Sequence, residues 1–93
     1  MAAKIAQLQE LLEKMVKAAE QKRKGEVARL NAAFEQTMPP LSNRSQQILD
    51  YDNCRQSCVM AFTFPRMYGA YVKDARQRFQ QITGAHARQD RYA

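Results

Sequence analysis

Residues 20–26 read EQKRKGE, seven positions without one large apolar side chain, inside a segment that is otherwise a regular amphipathic stripe. Upstream, Ile5, Leu8, Leu12, Met15 and Ala19 follow the alternating three- and four-residue steps of one helical face. Downstream, Val27, Leu30 and Phe34 take those steps up again. Counting on by heptads from Ala19 lands on Glu26 rather than Val27, so the stripe slips by one position across the gap. Two readings follow: one bent helix over about residues 3–37, roughly 50 Å long at 1.5 Å per residue, or two helices hinged near Gly25. The gap holds no proline and no capping residue. A lone glycine inside a helix costs only about 1 kcal/mol, so a single continuous helix is the expectation.

Pro39 and Pro40 end that helix, because a proline pushes the residue before it out of the helical region. The following PPLSN is a turn, with Ser42 or Asn43 available to cap a second helix; Asn43 and Gln46 have the spacing of a capping box. This second helix is expected over about residues 43–64, with Ile48, Leu49, Tyr51, Cys54, Cys58, Val59, Met60, Ala61, Phe62 and Phe64 as its apolar members. Its last two turns are apolar nearly all round, which requires burial on more than one side. Pro65 breaks or kinks the chain, and a third helix over about 66–83 carries Tyr68, Val72, Ala75, Phe79 and Ile82 at heptad spacing. Gly84 stands where a helix C-cap places glycine, and residues 85–93, AHARQDRYA, read as a flexible or partner-ordered tail.

The fold class is therefore all-α: a single small helical domain over residues 1–93, with helical-hairpin or coiled-coil-like packing. Composition agrees, since Gly 3 and Pro 3 are too few for a loop-rich or sandwich fold. A chain of 93 residues buries only about 60–65% of its unfolded surface. A first helix far longer than its companions must overhang them or find another chain. Leu8, Leu12, Met15, Val27, Leu30, Phe34, Phe62, Tyr68, Val72, Phe79 and Ile82 are the expected core or interface positions.

Cys54 and Cys58 lie one helical turn apart on one face, a geometry in which they do not readily bond to each other. The only histidine, His86, is far away in the tail, so no metal set is expected. Two readings of the thiols stay open: buried small hydrophobes, or partners in a disulfide to another chain. The C-x-x-x-C spacing of residues 54–58 resembles one half of the twin motif of the small translocase chaperones of the mitochondrial intermembrane space. In that family two such motifs, on an antiparallel helix hairpin, are joined by two disulfides. The resemblance implies oxidative folding in that compartment; it covers five residues, and no second motif is present.

There is no G-x-S-x-G, no H-E-x-x-H and no phosphate-binding glycine loop, so neither an enzyme nor a cofactor is expected. The longest stretch without a charge, residues 56–65, is half the length of about 20 needed to cross a bilayer. Net charge is +6 and collects at the C-terminal end: residues 65–93 hold six basic and two acidic side chains. Arg66, Lys73, Arg76, Arg78, Arg88 and Arg91 form the expected basic partner surface. Lys22, Arg23 and Lys24 read as a solvated face paired along the helix with Glu20 and Glu26.

These features point to a non-catalytic structural or accessory subunit that mediates assembly in a hetero-oligomeric complex. The alternatives are a basic subunit contacting RNA in a ribonucleoprotein, or a relative of the small translocase chaperones. RNA or anionic lipid would be met through the basic C-terminal third. The expected location is intracellular, with mitochondria placed ahead of cytosol or nucleus by the cysteine likeness.

Overall fold

The computed structural model describes the backbone of residues 2–92 and the side chains of residues 3–84. Four α-helices follow in order: α1 (Ala2–Glu20), α2 (Lys24–Thr37), α3 (Gln46–Thr63) and α4 (Tyr68–Tyr92). Short 3₁₀ turns at Leu41–Asn43 and Pro65–Met67 precede α3 and α4, and there is no strand among the described residues.

The expected continuous first helix is two helices. The N–H of Arg23 donates to the Ala18 carbonyl at 2.9 Å and that of Lys22 to the Ala19 carbonyl at 3.1 Å. This pair of bonds is a Schellman ending, which requires a left-handed residue just past the helix, a place usually held by glycine. Here Lys22 takes it, at φ 59°. Gly25 is not the hinge; it lies inside the first turn of α2, with no positive φ. Magnitudes explain why the chain reverses. A left-handed L-residue costs about 1–2 kcal/mol, whereas burying each of Val27, Leu30 and Phe34 contributes about 1.5–3 kcal/mol. All three are buried.

Tertiary contacts give the order of the bundle. On α3, Tyr51 donates to Gln9 Oε1 of α1 at 2.9 Å. Arg55 reaches back to Asn31 and Glu35 of α2 at 3.1 and 3.2 Å, with its guanidinium 5.7 Å from the centre of the Phe34 ring. Ser57 donates to Asp74 of α4 at 2.6 Å. Successive helices thus run up and down. α1 and α3 pack directly across the middle, while α2 and α4 flank them without meeting among the described residues.

The core joins all four helices. Leu8, Leu12, Met15 and Val16 of α1 meet Val27, Leu30 and Phe34 of α2, Ile48, Tyr51, Cys54 and Cys58 of α3, and Ala75 and Phe79 of α4. Folding the first segment on itself removes the overhang that demanded a partner: the stripe is covered from within. Tyr51 has no exposed surface, and its hydroxyl is held by Gln9 and by the Gln47 amide at 3.0 Å. Among the described residues, no buried side-chain nitrogen or oxygen lacks a hydrogen-bond partner.

Two boundaries also differ from expectation. Ser45, not Asn43, caps α3, its hydroxyl accepting from the Ile48 N–H at 3.3 Å, because residues 41–43 are used up by the 3₁₀ turn. Gly84 does not end α4, which runs on to Tyr92. The glycine has no positive φ, and the residues after it include no proline.

The strained turn yields a prediction. Lys22→Gly relieves the left-handed backbone and loses a cation–π contact worth about 0.5–1 kcal/mol at an exposed site, so stability should rise by about 0.5 kcal/mol. Lys22→Val, β-branched, should lower it by about 1 kcal/mol or more. Urea midpoints of the three proteins check this; equal midpoints would show that residue 22 is not left-handed.

Candidate interaction surface

Up-and-down order brings the α1–α2 turn and the α3–α4 turn to the same end of the bundle. The contact is direct: Lys22 Nζ lies 5.6 Å from the centre of the Tyr68 ring. Tyr68 is half-buried, donates its hydroxyl to the Ala19 carbonyl and stands edge-on to Phe62, with ring centres 5.6 Å apart. α3 stops here because Phe64 leaves helical geometry (φ −122°, ψ 81°) ahead of Pro65.

Charge at this end is uncompensated. Glu20 is bound by Arg76 of α4, through Nε at 3.1 Å and through Nη2, and this hydrogen bond holds its carboxyl below the usual range. Glu26 is taken by Arg29. Neither acid is left for the lysine run, so Lys22, Arg23, Lys24, Arg66 and Lys73 make no ion pair among the described residues. Of the acids expected to pair with Lys22, Arg23 and Lys24 along one helix, Glu20 is taken across the bundle by Arg76 and Glu26 along α2 by Arg29. Beside these cations, Phe64 is 48% exposed and Met67 53%, with Phe64 against Tyr71 at 6.3 Å between ring centres.

The expected basic surface is partly dispersed. Arg66 and Lys73 lie at this end, unpaired, whereas Arg76 is spent on Glu20 and Arg78 on Asp74 at 2.8 Å. Asp74 is held below its usual range, first by the Ser57 hydroxyl and then by Arg78. The side chains of residues 85–93, those of Arg88 and Arg91 among them, lie outside the described residues. Of the apolar set, Leu8, Leu12, Met15, Val27, Leu30, Phe34 and Phe79 are buried. Phe62, Val72 and Ile82 are half-buried against the core, and Tyr68 is half-buried at the cationic end. The cationic end was hidden from sequence because the Glu20–Arg76 pair spans 56 positions, far outside any helical spacing rule. The legible signal was the lysine-arginine run itself.

Cys54 and Cys58 are free thiols with no exposed surface, the surroundings expected of buried small hydrophobes. Cys54 Sγ donates to the Ala75 carbonyl at 3.2 Å. Burial pushes both thiols from an ordinary 9.0 up to about 12, the reverse of what a reactive thiol requires. Among the described residues, no group of three or more His, Cys, Asp or Glu is placed to hold a metal ion. No described helix is long and apolar enough to cross a membrane.

No protein family, curated protein or solved structure matches the chain. The surface is therefore read from its own residues.

The raised thiols make a pH prediction whose sign is fixed. The fold keeps the proton and the unfolded chain releases it, so the contribution to stability is whole below pH 9.0 and is lost as pH rises toward about 12. The melting temperature should fall from pH 9.0 upward, and the Cys54→Ser, Cys58→Ser double variant should flatten that fall. Alkylation by iodoacetamide at neutral pH should proceed no faster than unfolding; rapid labelling of the native protein would contradict the buried-thiol geometry.

Proposed function

We propose that this protein is a non-catalytic helical accessory subunit, which joins a larger protein assembly through the end of the bundle where its two turns meet. The observation that carries this reading is the cluster Lys22, Arg23, Lys24, Arg66 and Lys73, without acidic partners, beside exposed Phe64 and Met67. Exposed apolar side chains rimmed by charge are the usual composition of a docking surface. Most other large apolar side chains among the described residues are buried or half-buried against the core, with Leu41 and Leu49 exposed toward the other end, so the apolar surface that lies beside unpaired cations of the lysine-arginine run is at this end.

A second reading, contact with RNA, is favoured by the same unpaired cations, since phosphate binding needs only Lys and Arg in place. Exposed Phe64 and Met67 favour protein over phosphate, because neither adds to an electrostatic contact.

The test is photo-crosslinking in extracts of the cells that make the protein, with benzoylphenylalanine placed at position 67 or at position 41. Leu41 is more exposed than Met67, 75% against 53%, but lies at the opposite end of the bundle. Position 67 should give protein adducts of discrete mass that disappear with Arg66→Glu, and position 41 should not. Adducts removed by ribonuclease would transfer the reading to RNA. Equal adducts from both positions would contradict a single docking end.

A further inference from the structure

A groove runs between the α1–α2 turn and the start of α4. Ala61, Phe62, Pro65 and Tyr68 form its apolar floor, and Lys22 and Lys24 stand along its edge. Its volume of about 380 Å³ is at the small end of ligand sites. It suits a side-chain anchor better than a cofactor. Among the described residues both lysines lack an ion pair, because the nearby Glu20 and Glu26 are bound by Arg76 and Arg29.

From these features we infer that the groove receives an acidic peptide segment of a partner, which inserts an aliphatic anchor over Phe62 and Pro65 and sets carboxylates against Lys22 and Lys24. This rests on the docking reading above and names the chemistry of the partner. Charge complementarity selects the acidic flank, and the apolar floor selects the anchor. Nucleic acid fits less well: Lys22 covers a face of the Tyr68 ring, Phe62 packs edge-on to it, and the hydroxyl is bound to Ala19. With one face under Lys22 and the hydroxyl engaged, less of the ring is left there for a base to stack on.

The experiment uses the full chain and a fluorescein-labelled probe peptide in which two leucines are flanked by glutamates. Fluorescence anisotropy measures affinity, and ¹⁵N chemical shifts locate the site. Saturable binding is expected at low salt, with shifts concentrated at residues 22, 24, 61, 62 and 68. Lys24→Glu should weaken it roughly tenfold, and so should replacing the two leucines by glycine. Lys4→Glu makes the same charge change on an exposed residue near the other end of α1 and should change affinity less than about twofold.

Equal losses in the Lys24 and Lys4 variants would overturn the inference. So would no saturable binding, or tighter binding of oligouridine RNA or phosphatidylserine vesicles that is equally lost with Lys24→Glu. If position 67 crosslinks to protein while the peptide fails to bind, the groove chemistry falls and the docking reading stands. If neither occurs, both fall.

Discussion

The bundle depends on one tight reversal, at Gln21, Lys22 and Arg23. Two carbonyls that would otherwise continue α1, those of Ala18 and Ala19, are taken by the N–H groups of Arg23 and Lys22, and Lys22 is left in a left-handed conformation. From that turn α2 lies back along α1 and delivers Val27, Leu30 and Phe34 to the stripe that Leu8, Leu12 and Met15 present. The paired helices then accept α3 across the centre, and α4 closes the other side. Without the reversal, the apolar stripe carried by Val27, Leu30 and Phe34 would need other cover. With it, the chain supplies its own cover.

The same turn arranges the surface. It carries Lys22, Arg23 and Lys24 to the end of the bundle where α3 gives way to α4, and it places Glu20 within reach of Arg76. The Glu20–Arg76 pair is partly exposed, so its direct contribution to stability is small. Its larger effect is to withdraw an acid from the lysine cluster. The cationic end is thus a product of one tertiary pair, Glu20–Arg76, and one local pair, Glu26–Arg29, and the apolar floor beside it comes from Phe62 and Tyr68, which brace the α3–α4 corner.

Much of this was legible in the sequence. Periodicity gave the helical class and most of the buried positions, because a core face leaves a three- and four-residue rhythm that needs no knowledge of neighbours. The slip between Ala19 and Val27 was legible as well, and it marked the turn. Its meaning was not, since a glycine stood nearby as the obvious hinge while a lysine took the strained conformation. Local rules also misplaced the cap of α3 and the end of α4: they assign Asn43 and Gly84 by residue type, whereas the chain spends residues 41–43 on a separate turn and carries Gly84 through as ordinary helix. The site was least legible. Glu26–Arg29 is an ordinary i,i+3 pair, but Glu20 is taken by an arginine on another helix, and spacing rules see only one helix at a time.

The most direct test of the reversal is a distance. Nitroxide labels at Lys4 and Gln36, both exposed, sit near the open end of the α1–α2 hairpin. Antiparallel helices with axes about 8–10 Å apart predict a pulsed-EPR distance below about 25 Å. A continuous helix between those positions predicts about 48 Å, and a peak there would contradict the fold and the docking end built on it.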